Sequence, residues 1–271
     1  MAEQITNNRD SLREDFSGLD PNKTVALQLS HRTIRRFTDE ALTNREVETL
    51  LEVARHTATS SFYQQCTIIR VLNPAIRHEI YEASGQPYVD GTAGQLWIFV
   101  ADVHRDAQIR KEAGQGPEAT ELASTFFAAV KDSLLAAQNV VVAAESMDLG
   151  TVYLGSIAGD YRRVIRALKL PRQTFPVLGL LIGHPAQAPQ YKPRLPLNVT
   201  VGVDEYPAFS NVTEALREYD DVVAQYYDLR DENRRVDKFT AQIARKMGVS
   251  RSETAPLLAV IKEQGLALRD E

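Results

Sequence analysis

Apolar side chains at Val47, Leu50, Leu51 and Ala54 recur at the three- and four-residue spacing that puts them on one face of an α-helix. The residues ahead of them, Thr43-Asn44-Arg45-Glu46, have capping-box order, with a hydroxyl first and a carboxylate three positions later, so a helix is predicted to start there. Similar signals predict a helix capped by Asp20 with Pro21 as its first residue, and another from Asn73-Pro74 that turns Ile76 and Ile80 inward. The alanine-rich stretch 118–148 is apolar on most sides and stops at Gly150, which predicts a central core helix. Asp160 opens a short helix carrying Val164, Ile165 and Leu168 ahead of Pro171, and residues 213–229 carry Tyr219, Val222, Val223 and Tyr226 at helical spacing.

Between these lie short β-rich runs: TIIRVL from Thr67, LWIFVAD from Leu96, TVYLG from Thr151 and PVLGLLIG from Pro176. Four strands among many helices give the α+β class. The regular strand–helix alternation of βαβ units is not kept, and no internal repeat is visible. The chain reads as a single domain, 1–271, with a polar N-terminal extension over 1–20 and a helical excursion over 208–271. The proline-rich stretch 185–207 between them suits an extended arm of the kind that reaches another subunit.

Charge narrows the function classes. With 31 Lys plus Arg against 36 Asp plus Glu, the net charge is −5, so the chain as a whole does not attract nucleic acid or an anionic membrane. One cysteine, Cys66, excludes an internal disulfide, and the polar start MAEQITNNRD lacks a secretory apolar core, so a cytoplasmic chain is expected. Runs such as VLGLLIG are too short to span a bilayer. GQGPEA lacks the third glycine of a dinucleotide fingerprint, and no phosphate-loop motif occurs. HEIYE lacks the second histidine of a zinc helix, and GSIAG places its serine one position early for a nucleophile elbow. No metal site or catalytic triad is expected.

Against this acidic background, HRTIRRF at 31–37 is a local concentration of cations. His31, Arg32, Thr33 and Arg35 follow the first predicted helix, Thr59, Ser60 and Ser61 follow the second, and Lys192-Pro193-Arg194 sits in the arm. Arginine forks and hydroxyls are the groups that grip phosphate oxygens. The same run also has the composition of an ordinary solvated face.

The segments HRTIRRFTDE, ARHTATSSFYQQC, SGQPYV, LWIFVAD, AAESMDLGTVYLGSI and LGLLIGHPAQAPQYKPRLP, in this order, resemble the oxygen-insensitive NADPH nitroreductase and flavin reductase family. The resemblance runs from about residue 30 to residue 235. It implies an α+β homodimer with a central, mainly antiparallel sheet surrounded by helices, an exchanged arm, and two FMN sites at the subunit interface, each lined by both chains. Residue by residue, it implies that His31, Arg32, Thr33 and Arg35 hold the FMN phosphate and ribityl chain, with Lys192 and Arg194 completing the phosphate grip. Thr59 and Ser61 match its serine-rich loop, and Gln86 a glutamine beside the flavin. Tyr153, Leu154, Gly155 and Ser156 match a turn whose backbone lies along the ring. Ser156 stands where the family has a second glycine, and Ala158 where near relatives have arginine. Arg230 matches an NADPH-binding arginine, with Arg234 and Arg235 close behind.

The implied chemistry passes electrons from NADPH through FMN to nitroaromatics, quinones or related acceptors by a ping-pong route, with no catalytic side chain. Two alternatives are an NADPH:FMN reductase that releases reduced flavin, and a flavin-binding protein without turnover. Trp97 and Phe99 are expected in the core, and Cys66 as a small buried hydrophobe.

Overall fold

In a computed structural model, residues 15–16, 18–19, 22–230, 238–247 and 256–270 are described. In chain order the helices and strands are α1 Lys23–Leu29, α2 Asn44–Arg55, β1 Cys66–Val71, α3 Pro74–Ser84, β2 Gln95–Asp102, α4 His104–Glu112, α5 Ala123–Ser146, β3 Gly150–Leu154, α6 Tyr161–Ala167 and β4 Thr174–Gly183. After them come α7 Leu197–Thr200, α8 Val212–Ala215, α9 Arg217–Arg230, α10 Phe239–Met247 and α11 Leu257–Glu263. The chain divides into two compact units: Thr33–Ala188 with Ser252–Glu271, and Met1–Arg32 with Pro189–Arg251.

The larger unit is built on one antiparallel sheet of order β1-β2-β4-β3. Side chains alternate along its strands. Trp97, Phe99, Leu178, Leu180 and Ile182 face α2 and α5, whereas Leu96, Ile98, Val100, Val152, Leu154 and Leu181 face α3, α6 and the 3-10 turn Gly155–Gly159. Trp97 and Phe99 are fully buried, as expected. A third cluster, in which Ala101 and Phe175 meet Phe126, Val260 and Ile261, seats α11 at one end of the sheet.

The helix starts follow local chemistry. Thr43 accepts from the Glu46 amide and the Glu46 carboxylate accepts from the Thr43 amide, completing the capping box, and Asp160 caps α6 through the Arg163 amide. The first helix differs from the expectation. Asp20 and Pro21 lie outside the described residues, and the cap is Asn22, whose carbonyl oxygen accepts from the Val25 amide. The predicted 213–229 helix is divided at the buried Leu216 into α8 and α9.

α5 is not buried on all sides. Phe126, Ala129, Ala136, Ala137, Val140, Val141 and Ala144 pack inward, while Phe127, Leu134 and Leu135 remain 62%, 45% and 50% exposed along the opposite face. By length and composition alone this helix could cross a bilayer, although Lys131 and Asp132 interrupt its apolar run. About 44% of its most apolar window is buried within the protein.

Glycines decide how closely the segment after Arg32 approaches the sheet. A Cβ on Gly150 would lie 2.7–2.8 Å from three Ile34 carbons, and one on Gly183 would lie 2.9 Å from a Phe37 ring carbon and from Gly94 Cα. Gly150→Ala is therefore expected to cost ~1–3 kcal/mol by overpacking against Ile34, measured as a lower urea midpoint with an unchanged slope.

Candidate functional site

In the larger unit, residues 33–38 form a strap along the β3 edge and the exit of β4. Thr33 bridges Thr151 in parallel, the Ile34 amide donates to the Thr151 carbonyl at 2.8 Å, Phe37 bridges Pro185, and the Thr38 amide donates to the His184 carbonyl at 2.9 Å. Because extended backbone alternates its side chains, burying Ile34 turns Thr33 and Arg35 to the other side. Arg35 is half-buried, and among the described residues no carboxylate pairs with it. A guanidinium held partly out of water without a counter-ion is a ready anion ligand.

β3 delivers the next group. Leu154 is buried, and the Tyr153 hydroxyl donates to Gln138 Oε1 at 3.0 Å. Burial raises the Tyr153 phenol above its ordinary range, with a smaller push from Glu145, so it stays protonated. The chain then turns at Gly155, where an added Cβ would meet nothing within 4 Å, and the Ser156 hydroxyl is enclosed without a hydrogen-bond partner among the described residues. The turn thus leaves one side of its backbone open.

Gln86 follows α3, its amide donating to Ser84 Oγ at 3.3 Å and its carbonyl accepting from the Val89 amide at 2.9 Å. The 85–94 loop is shaped by Arg77, only 7% exposed, which donates to the carbonyls of Val89, Ala93 and Gly94 at 2.7–2.9 Å. Burial lowers its pKa, and the three carbonyls supply the hydrogen bonds that a buried cation requires. Sequence reasoning missed Arg77 because its acceptors are backbone atoms.

Thr59 and Ser61 lie on a loop just before β1. Ser61, Phe62 and Gln64 take left-handed φ values of 51°, 60° and 55°, unfavourable for residues with side chains. One carboxylate closes this loop from both ends. Asp132 of α5, 1% exposed, accepts from the Ser60 amide at 2.8 Å and the Gln65 amide at 3.1 Å. Arg105 and Asp106 of α4 add bonds to the Gln64 carbonyl and the Gln65 side chain. Behind the loop lies a cavity of about 360 Å³ with Cys66 in its wall. Burial pushes that thiol up to about 11, so Cys66 is a thiol and not a nucleophilic thiolate at neutral pH.

The strap and this loop are far apart. Thr151, beside Thr33, stands on the sheet row of Ile182, whereas Cys66 stands on the row of Ala101 and Phe175 at the opposite edge. Seven residues along β4 and three strand spacings across separate these corners, roughly 27 Å at ~3.3 Å per residue and ~4.8 Å per strand. One chain does not bring Thr33 and Arg35 together with Thr59 and Ser61.

In the smaller unit, Arg32 of the first basic motif meets the residues just ahead of the second. Arg32 Nη1 donates to the Pro189 carbonyl at 3.0 Å, and its guanidinium lies 3.9 Å over the Tyr191 ring, so the HRT motif is joined to the residues that lead into Lys192-Pro193-Arg194. Arg194 Nη1 folds back to the Lys192 carbonyl at 2.6 Å, and His31 and Arg32 are half-buried while Lys192 and Arg194 are exposed. Arg230 closes α9, and its side chain lies outside the described set, as do Arg234 and Arg235 altogether. Replacing Asp132 by Asn removes the charge from the loop clamp. It is expected to cost ~1.5–3 kcal/mol, the range for a hydrogen bond to a charged group, and to speed chymotrypsin cleavage at Phe62 or Tyr63.

Residues 29–184 match the nitroreductase family model and 192–269 the nitroreductase family C-terminal domain. The chain is 36% identical over 247 residues to an oxygen-insensitive NADPH nitroreductase of Salmonella typhimurium, covering 91% of this chain and 99% of the relative. It is also 36% identical over 225 residues to an FMN reductase (NADPH) of Bacillus subtilis, covering 82% and 90%. Among solved structures, the NfrA1 nitroreductase from B. subtilis superposes with a TM-score of 0.85 at 34% identity, covering 91% of this chain and 100% of that one. The strap, the Gly155 turn and the Lys-Pro-Arg segment thus lie in a chain that belongs to the nitroreductase family.

Proposed function

We propose that this chain is an FMN-dependent oxidoreductase that takes electrons from NADPH and passes them to nitroaromatics, quinones or related acceptors, working as a cytoplasmic homodimer with two FMN sites. The observation that carries this reading is the half-buried Arg35, with which no carboxylate among the described residues pairs, on a strap bridged to β3, the strand that ends at the open Gly155 turn. A cation and hydroxyls near one end, with open backbone near the other, fit a phosphate monoester joined to a flat ring. The names of the relatives support the donor and the cofactor.

His31, Arg32, Thr33, Arg35, Lys192 and Arg194 would hold the phosphate and ribityl end, where several cations can neutralise a dianion that one cannot. Gln86 and the backbone of Tyr153, Leu154, Gly155 and Ser156 would hold the ring edge. When bound, FMN supplies a two-electron centre that accepts hydride equivalents at N5 from a nicotinamide and returns them to a second substrate. The chain's part is to bind, orient and exclude water, so no side chain is assigned as nucleophile or general base. One open face serving donor and acceptor in turn gives ping-pong kinetics.

The distance between the strap and the 59–65 loop supports a site shared between two copies, with Thr59 and Ser61 supplied by the partner. The exposed stripe of Phe127, Leu134 and Leu135 on α5 offers an apolar face for that association, and the arm exposes Leu197 (76%), Val203 (84%) and Tyr206 (91%) for exchange. Arg230, Arg234 and Arg235 are proposed to meet the 2′-phosphate that distinguishes NADPH from NADH. A second reading, an NADPH:FMN reductase whose product is free reduced flavin, is favoured by the FMN reductase of B. subtilis and by an NADPH-flavin oxidoreductase of Vibrio harveyi, 34% identical over 250 residues.

Four measurements test these proposals. The purified chain should be yellow and bind FMN far more tightly than riboflavin, and Arg35→Ala should weaken FMN binding by ~1.5–3 kcal/mol. Equal affinity for the two flavins would refute phosphate anchoring. Arg230→Ala should raise the KM for NADPH at least ~10-fold with the NADH KM nearly unchanged, about 1.4 kcal/mol of lost binding; unaltered NADPH kinetics would move the 2′-phosphate contact to Arg234 or Arg235. Deleting residues 198–206 should lower dimerisation and FMN occupancy together, and a fully loaded monomer in sedimentation would break the link. Turnover with free FMN, a quinone and a nitroaromatic as acceptors separates the two enzymatic readings.

A further inference from the structure

Residues 189–194 have no regular secondary structure, yet three of their carbonyls are tied down by side-chain donors. Arg32 holds the Pro189 carbonyl at 3.0 Å, Arg194 holds that of Lys192 at 2.6 Å, and the Tyr219 hydroxyl donates to that of Pro193 at 3.2 Å. Pro193 is buried and has no amide hydrogen, so this carbonyl is its only backbone hydrogen-bonding group. The bond from Tyr219 is made at the peptide between the two cations.

Tyr219 is itself fixed. Its ring meets Phe239 edge-on at 5.3 Å and 72°. α10, which Phe239 begins, is held to α9 by Asp220, 3% exposed, whose carboxylate accepts from the Thr240 amide at 2.9 Å and the Thr240 hydroxyl at 2.6 Å. The hydroxyl therefore sits on a braced helix pair, and the Lys-Pro-Arg segment hangs from it.

We infer that Tyr219 is the positioning residue of the phosphate grip: it fixes the backbone from which Lys192 and Arg194 project, so that both reach one phosphate group at once. The inference rests on the phosphate role proposed above for those two cations. Long cationic side chains lose rotamer freedom when they converge on a ligand, and a backbone already set in place lowers the cost of convergence. Losing the hydroxyl should thus weaken recognition of the phosphate and leave recognition of the ring intact.

Tyr219→Phe keeps the ring, and with it the contact to Phe239. Full-length wild type, Tyr219→Phe, Thr240→Val and Arg194→Ala, each freed of flavin, are titrated with FMN and with riboflavin by quenching of flavin fluorescence, and thermal melts are recorded alongside. Tyr219→Phe is expected to raise the Kd for FMN about 5- to 10-fold while changing that for riboflavin less than about 2-fold. Thr240→Val, which loosens the brace, should show the same selectivity to a smaller degree, and it carries the test if Tyr219→Phe does not fold. Equal losses for both flavins would reduce Tyr219 to a structural role and overturn the inference. So would an unchanged FMN affinity in Tyr219→Phe when Arg194→Ala has lost it. If Arg194→Ala binds FMN as wild type does, the phosphate role of the arm fails first, and the positioning role fails with it.

Discussion

The sheet order β1-β2-β4-β3 is the constraint on which the functional organisation depends. Because every neighbouring pair is antiparallel, the loop that enters β1 and the strap that lies along β3 fall at opposite edges and opposite ends. No side-chain rearrangement closes a gap of roughly 27 Å, since the strand spacing and rise are set by backbone hydrogen bonds. The chemistry of the strap can be combined with that of the 59–65 loop only by a second copy. In the homodimer proposed above, the exposed apolar stripe on α5 is the face that a second copy would cover.

Within each part, backbone atoms do much of the positioning. The strap is pinned by amide-to-carbonyl bonds to Thr151 and His184 and seated on Gly150, Gly94 and Gly183, which leave room for Ile34 and Phe37. Asp132 gathers two amides, Arg77 three carbonyls, and Tyr219 one more. A flavoprotein of this kind asks its protein for a rigid cradle, because the reactive atoms belong to the cofactor. The residues that fix the cradle do not themselves need to touch it.

Much of this was legible in the chain. The capping box at Thr43 and the Asp160 cap are local chemistry, and the continuous apolar runs LWIFVAD and PVLGLLIG marked β2 and β4 because each strand is covered on both faces. α4 was not legible, since HRDAQIRKE has no buried residue and hence no periodic apolar signal. The Asn22 cap was masked by the stronger Asp20-Pro21 pattern two residues earlier. Site residues with a distinctive chemistry, such as Arg35 and the Lys-Pro-Arg cations, could be nominated from their types. Their supports could not, because Asp132 acts on amides 72 and 67 residues away, and Tyr219 on a carbonyl 26 residues away.

Mixed dimers test the central claim most directly. One chain carries Arg35→Ala, the other carries Thr59→Ala with Ser61→Ala, and differently tagged copies allow the mixed species to be isolated. If each site takes its strap from one chain and its 59–65 loop from the other, both variant homodimers have two damaged sites, whereas the mixed dimer has one intact site and one damaged twice. The account predicts that mixing restores FMN binding at wild-type affinity to half of the sites. Mixed dimers that bind no better than their parents, or a loop variant that binds FMN as wild type does, would contradict it.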